Sequence, residues 1–527
     1  MASTSLPPVP RDPHQQLPRL DRHVPKGGPV RPSRVSRKRA YVLIAVHVAI
    51  GLHLWHWLAA GESMTPLEPS EAMQTFELGK INAGFLLFVA LIASTLLFGR
   101  FFCGWACHVV ALQDLSAWLL GKLGWRPKPV RSRLLILAPW VVAGQMFLWP
   151  HVEHWLGWRQ LPAVSTWEWE LVTDDLWATF PGPLMAVGTL LVVGFLCVWW
   201  LGAKGFCTYG CPYGAFFAVA DRFAPVRIKV TDACDACGHC TNVCTSNVRV
   251  HEEVARHGRI VDPGCMKCLD CVSVCPKDAL YVGVAMPKPL AISQQRRTAR
   301  ADFTWPEELL LGGVALVAAQ WTFRGAWFGE GVPFLMAVGL GVITAVFTLL
   351  AWRLWRRREM TFQHTVLRRA GRLTRAGAWV AGGLAVWLAF TAHTFVAQRL
   401  KADARDGAAE PLRMVLNLRQ PVPAERLQAV HDRVDRALAW DLLDDPELLQ
   451  IRGLLRRELG QHADAEQDLR AALAKFPRLE YAATALAIYR LRAGDLAEAE
   501  RLARDVLTRH PDNPTARAIV QQLEQRR

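Results

Sequence analysis

Charge is scarce in this chain, and cysteine is absent beyond residue 275. Asp, Glu, Lys and Arg make up 20% of the 527 residues, against a hydrophobic fraction of 52% and 22 tryptophans. That balance excludes an ordinary soluble protein. Acidic residues number 46 against 61 basic ones, a net charge of +15. In a soluble chain this sign would suggest nucleic acid. Here the basic residues flank apolar runs and read as topology signals, so no nucleic-acid partner is expected. No A-x-A cleavage site follows the first apolar run, which therefore reads as a retained membrane anchor and not as a signal peptide.

Residues 1–40 are proline-rich, with nine Lys or Arg against two Asp, and read as a disordered basic tail. Seven apolar runs then approach bilayer length, at 41–60, 82–98, 134–150, 181–200, 308–323, 332–352 and 377–396. The segment 61–81 is acidic, 99–133 is basic, 151–180 is acidic, and 353–375 holds eight arginines against Glu359. Excess Lys and Arg marks the cytoplasmic side. This alternation predicts a cytoplasmic N-terminus and a C-terminus outside. The expected domains are spans one to four over 41–206, a cytoplasmic cysteine-rich domain over 207–300, spans five to seven over 301–398, and a periplasmic domain over 399–527.

Twelve of the 13 cysteines fall into four motifs. Cys234, Cys237, Cys240 and Cys244 form one C-x2-C-x2-C-x3-C run, and Cys265, Cys268, Cys271 and Cys275 form a second. This is the spacing of a bacterial two-cluster ferredoxin, in which the fourth cysteine of each run serves the other cluster. Cluster A would take Cys234, Cys237, Cys240 and Cys275, and cluster B Cys265, Cys268, Cys271 and Cys244. Zinc also accepts four thiolates, but two tandem copies at this spacing favour a pair of [4Fe–4S] clusters. Pro276 follows the second run, whereas Thr245 follows the first, so cluster B is expected to be the more labile. His239, His251 and His257 read as surface residues.

The other two motifs are FCGWACH, with Cys103 and Cys107, and FCTYGCP, with Cys207 and Cys211. Each follows an apolar run at its cytoplasmic end. The i,i+4 spacing puts both sulfurs of a pair on one helical face. Two such faces could offer four thiolates to a third [4Fe–4S] cluster. The alternatives are thiol–disulfide or transient metal chemistry, and plain packing. Packing accounts for Cys197.

At this point the sequence resembles the membrane-bound polyferredoxin family, the NapH, NosR and CcoG-like 4Fe–4S binding proteins. The resemblance rests on FGRFFCGWACHVVALQDL at 98–115, KGFCTYGCPYGAFF at 204–217 and the ferredoxin pair at 234–276. It implies electron transfer at a bacterial inner membrane, with redox protein partners and a quinone as candidates. It also raises a copper-reducing role in cytochrome oxidase assembly as an alternative. His108 stands where many relatives carry proline.

Histidines in membrane runs default to functional candidates. His53, His56, His151, His154 and His393 lie near the predicted outer ends of spans one, three and seven. They are candidates for a b-type haem, a copper ion or a quinone, or else belong to an interfacial aromatic belt. Past the last run, a 34-residue period pairs Gly460 with Gly494, Ala465 with Ala499, Glu466 with Glu500, Leu473 with Leu507 and Pro477 with Pro511. That is tetratricopeptide spacing, with residues 411–445 read as a further degenerate helical pair and the repeats as a protein-docking surface.

The fold expected is therefore a multi-pass α-helical membrane protein with an inserted cytoplasmic ferredoxin domain (α+β) and a C-terminal all-α tetratricopeptide-like solenoid. The function expected is membrane electron transfer between a cytoplasmic or quinone-linked partner and a periplasmic one. The chain reads as an electron carrier and not a stand-alone enzyme. Metal-ion reduction and a structural scaffold for a respiratory complex are the alternatives.

Overall fold

The computed structural model of the chain describes residues 30–525 apart from 126, 128–129, 178–181, 288–302, 328–330, 364, 417, 419, 478 and 511. It is mostly helical. It divides into two compact units, residues 1–316 with 338–386, and residues 317–337 with 387–527. Most of the expected basic tail, residues 1–29, lies outside the described residues. Its last part is not a tail, because helix α1 (Arg34–Ala60) begins there, capped by the Ser33 hydroxyl on the Ser36 N–H.

In the first unit, α1 is followed by the segment 61–82, which contains the short helix α2 (Ala72–Leu78). This segment reads as an acidic loop in the sequence, but Glu71, Thr75 and Asn82 are buried. Asn82 caps α3 (Ala83–Phe98) through the Phe85 N–H. The chain then breaks into two helices, α4 (Phe101–Trp105) and α5 (His108–Lys122). After α6 (Leu135–Trp155) and α7 (Pro183–Leu201), the same break recurs between α8 (Gly205–Tyr209) and α9 (Pro212–Phe223). Four two-residue strands tie 61–82 to the segment between α6 and α7. Ser63–Met64 (β1) pairs with Val172–Thr173 (β4), and Lys80–Ile81 (β2) with Glu168–Trp169 (β3).

The cysteine-rich segment is closed by the antiparallel pair β5 (Val226–Val230) and β6 (Leu280–Val284). It holds the short helices α10 (His239–Asn242), α11 (Val250–His257) and α12 (Asp270–Ser273). Beyond it come α13 (Trp305–Val317), α14 (Phe334–Arg356) and α15 (Arg375–Leu416). The arginine-rich stretch after α14 is a three-stranded antiparallel sheet, Met360–Phe362, Thr365–Arg369 and Arg372–Leu373. Arg353 is drawn inward by Glu307, which takes its Nε at 2.6 Å and its Nη2 at 2.7 Å.

Five helices, α1, α6, α7, α14 and α15, are long and apolar enough to cross a membrane. Two of the seven expected spans fall short of that measure. Helix α3 is apolar throughout but only 16 residues long, about 24 Å of rise against a hydrocarbon core of about 30 Å. The 308–323 run lies in α13 and the π-helical turns that follow it. The boundary expected at 398 is crossed by α15, which continues to Leu416.

The second unit carries six successive helices after α15: α16 (Ala424–Trp440), α17 (Pro446–Glu458), α18 (His462–Lys475), α19 (Glu480–Arg492), α20 (Leu496–Arg509) and α21 (Pro514–Glu524). Each packs on the next. Gly460 and Gly494 both adopt φ near +80° in the turns, at 80° and 81°, a conformation that glycine takes without steric cost. Ala465 and Ala499 are fully buried one turn later, where a larger side chain would push neighbouring helices apart. Pro511 lies outside the described residues. The degenerate pair expected at 411–445 is instead the end of α15 and the single helix α16.

Asp221 on α9 fixes the first unit around the cysteines. It is fully buried, and a buried carboxylate persists only when paired. Arg227 Nη1 lies 2.7 Å from its Oδ2, and Lys267 reaches its Oδ1. The Arg100 N–H donates to it at 3.2 Å. Burial alone would raise its pKa, but Lys267 and Arg227 outweigh burial and hold the carboxyl below its ordinary value. Such a group contributes stability above its unfolded pKa of about 3.9 and loses it as pH falls through the folded value.

Two outcomes follow for the full-length solubilised protein. Asp221→Asn should cost about 3–5 kcal/mol at neutral pH and flatten the fall in thermal midpoint below about pH 4; an unchanged acid limb would show that the triad carries no stability. In the helical array, Leu455→Ala, at a fully buried position, should cost about 2–5 kcal/mol, read as earlier thermal loss of protease resistance in residues 424–525.

Candidate functional site

The ferredoxin segment folds around a small apolar cluster that includes Ile228, Val248, Val254, Ile260, Cys271 and Leu280. Cys234, Cys237, Cys240 and Cys275 line one pocket, with His239 and Lys277 beside them. These are the four residues expected for cluster A, three from one run and the last from the other. Cys244 lies within electrostatic reach of Cys265 and Cys268, and Cys271 of Cys265, Cys268 and Cys244. Those are the four expected for cluster B. Cys271 also feels Cys240, so the two sets adjoin. Burial pushes the Cys240 thiol up to about 12 and the Cys265 thiol up to about 11.

The histidines of this segment are not all at the surface. His239 is buried, 3% exposed, and neither ring nitrogen has a hydrogen-bond partner among the described residues. His251 pairs its Nδ1 with the Thr241 hydroxyl at 2.7 Å. The turn after Cys244, which lacks proline, is held by side chains: Arg131 donates to the Asn247 carbonyl at 2.7 Å, and Asn247 to that of Ala203 at 3.2 Å.

The C-x3-C pairs do not sit on continuous helices. Cys103 is inside α4, and Cys107 is the extended N-cap residue of α5. Cys207 is inside α8, and Cys211 is the extended N-cap residue of α9. The backbone N–H groups of Val109 and Val110 favour the thiolate of Cys107, and those of Tyr213 and Gly214 that of Cys211. Helix N-termini favour negative charge.

The two pairs meet. Cys107 feels Cys103 and Cys211; Cys207 feels Cys211, Cys107 and Cys103; Cys211 feels Cys103. Every pairing among the four is therefore represented. Burial first, then the neighbouring thiols, push Cys107 up to about 12 and Cys211 up to about 11. Gln113 Nε2 donates to the Cys207 sulfur at 3.1 Å. Arg100, nearly fully buried, donates its Nη1 to the Pro263 carbonyl at 2.8 Å and lies within electrostatic reach of Cys103, Cys211 and Cys207.

Among the described residues, no three His, Cys, Asp or Glu side chains converge as ligands of a single metal ion. A cubane binds its four thiolates at four separate irons, so it needs a wider set than one ion does. Two helix N-termini, a buried guanidinium and four thiols in mutual reach fit an anionic iron–sulfur group.

The pairs and the ferredoxin segment are in direct contact. A Cβ on Gly104 would stand 2.3 Å from the Met266 carbonyl oxygen and 3.4 Å from the Cys268 nitrogen. The Trp105 indole donates to the Lys267 carbonyl at 3.1 Å. Helix α4 thus lies on the loop that carries Cys265 and Cys268.

His108 begins α5, with its Nε2 3.6 Å from a Glu68 carboxylate oxygen. The remaining candidate histidines have local partners. His53 Nε2 pairs with the Met64 carbonyl at 2.9 Å, His56 Nδ1 with the Ser63 hydroxyl at 3.1 Å, and His154 Nδ1 with the Arg159 carbonyl at 3.0 Å. His151 packs edge-on against Phe76. In the second unit, His393 stacks on Trp440.

Several site residues escape motif reading: Arg39, Arg100, Gln113, Asp114 and Lys204. A signal for two of them is present, since a cation stands three residues before the first cysteine of each pair, Arg100 before Cys103 and Lys204 before Cys207.

Comparison with known proteins agrees with this geometry. The 4Fe-4S binding domain family matches residues 83–126 and 183–231, which contain both C-x3-C pairs. The 4Fe-4S dicluster domain family matches residues 233–280, which contain all eight ferredoxin cysteines. The chain is similar to the ferredoxin-type protein NapH of Haemophilus influenzae, 30% identical over 36% of this chain and 62% of that protein. It is similar to the methylamine utilization ferredoxin-type protein MauN of Methylorubrum extorquens, 31% identical over 36% of this chain and 66% of that protein. It is also similar to the putative electron transport protein YccM of Escherichia coli, 24% identical over 54% of this chain and 84% of that protein. The NapH and MauN matches span less than two thirds of those relatives' lengths. No solved structure matches the chain. The matched 4Fe-4S domains and the likeness to these ferredoxin-type proteins support the resemblance to the membrane-bound polyferredoxin family.

Proposed function

We propose that the protein carries electrons at a bacterial inner membrane between a cytoplasmic or quinone-linked donor and a periplasmic redox partner. The observation that carries this reading is the meeting of four thiols from two separate C-x3-C pairs against the loop of Cys265 and Cys268. Cys234, Cys237, Cys240 and Cys275 would hold one [4Fe–4S] cluster, and Cys265, Cys268, Cys271 and Cys244 a second. Cys103, Cys107, Cys207 and Cys211 would hold a third. Bound in these sets, the clusters supply one-electron redox chemistry. The protein's own part is to bury the thiols, keep water from them and set the charge around them.

The basic stretches next to the cysteine motifs support a cytoplasmic position for all three sets. On the same reading the helical array is periplasmic. Its 34-residue repeat of small buried residues supports a tetratricopeptide-like surface that docks a protein partner. Local hydrogen bonding at His53, His56 and His154 gives haem or copper no added support.

Anaerobically purified protein should hold about twelve irons per chain, with matching acid-labile sulfide. Cys103→Ser with Cys107→Ser should remove about four of them, and so should the Cys207, Cys211 pair. Iron unchanged in both double variants would exclude a centre at the pairs.

A further inference from the structure

Lys204 is the least explained charge in the protein. Its side chain is fully buried, its Nζ makes no hydrogen bond among the described residues, and its nearest counter-charge is Asp114 Oδ1 at 4.0 Å. Its backbone holds φ +57° at the N-cap of α8, a left-handed conformation that is unfavourable for a non-glycine residue. A buried, unbonded ammonium on a strained backbone is expensive, and no packing role visible here requires it. Strain retained in this way points to function.

Its surroundings say which function. Gln113, whose amide donates to the Cys207 sulfur, precedes Asp114, which faces Lys204 and also binds Arg39 Nη2 at 2.9 Å. Arg39 continues to Asp270 at 3.1 Å, next to Cys271. Lys204 is thus joined through Asp114 and Arg39 to Asp270 beside Cys271, while three residues on lies Cys207, and both Cys207 and Cys268 are within its electrostatic reach. Arg100 holds the matching place before the other pair, near Cys103, Cys211 and Cys207, and its Nη1 also donates to the Pro263 carbonyl at 2.8 Å, two residues before Cys265.

We propose that Lys204 is a positioning residue for charge. It is a buried cation shared by the third centre and cluster B, which raises the reduction potential of both and keeps them matched for electron exchange. The idea rests on the third centre proposed above. A thiolate-ligated cubane becomes more negative on reduction, so a fixed positive charge in a low-dielectric interior stabilises the reduced form.

The test is a redox titration of anaerobically purified full-length protein, followed by electron paramagnetic resonance, with iron counted in every sample. Lys204→Met should lower two of three midpoint potentials and leave that of cluster A in place, while Lys204→Arg restores both. Asp114→Asn, which removes the negative charge beside Lys204, should move the same two potentials upward. Fully loaded Lys204→Met with unchanged potentials overturns the proposal. If Lys204→Met does not load iron, Asp114→Asn decides, and no upward shift there overturns it. About eight irons in the unaltered protein would instead remove the third centre, and with it the sharing that Lys204 is assigned.

Discussion

A carboxylate in the interior must find cations, and the pairing of Asp221 is the constraint on which the site depends. Asp221 sits on α9, the helix whose N-cap is Cys211. Its partners come from elsewhere: Arg227 on β5, Lys267 in the loop between Cys265 and Cys268, and the backbone of Arg100 just before α4. One buried charge therefore ties together the start of the first C-x3-C motif, the helix after the second, and the ferredoxin loop. Arg39, Asp114 and Asp270 make a second tie from α1 through α5 to the segment beside Cys271. The cysteine sets adjoin because these ion pairs leave their elements little freedom to separate.

The same charges have a second consequence. Arg39, Arg100, Lys204, Arg227 and Lys267 are all buried near the thiols, against Asp221 and Asp270, with Asp114 close by. Iron–sulfur groups held by four thiolates are anionic, so an interior rich in cations suits them and would suit an apolar core badly. The cations thus serve the fold, through their carboxylates, and the redox site, through their excess.

Much of the site was legible in the sequence because its chemistry is written in spacing. The ferredoxin runs lead to the expectation of a crossed assignment, and Cys275 does line the pocket with Cys234, Cys237 and Cys240. The duplicated pairs also suggested that they meet. Their geometry was misjudged, because i,i+4 spacing assumes one helix, whereas Cys107 and Cys211 each start a new one. Each apolar run falls on helix among the described residues, and α3, at 16 residues, keeps nearly the length of its run while being short for a membrane crossing. The acidic segment 61–81 reads as a loop in the sequence, whereas Glu71 is turned inward.

By itself, the sequence determined the cofactor class, the membrane character and the 34-residue period. Each depends on residues close together along the chain, where spacing and periodicity carry the physics. Tertiary structure alone decided that Arg39, far from any cysteine in sequence, pairs with Asp270 beside Cys271, that His239 is buried, and that Lys204 lies within electrostatic reach of both Cys207 and Cys268. Those facts depend on long-range charge pairing, which joins residues hundreds of positions apart and leaves no period behind.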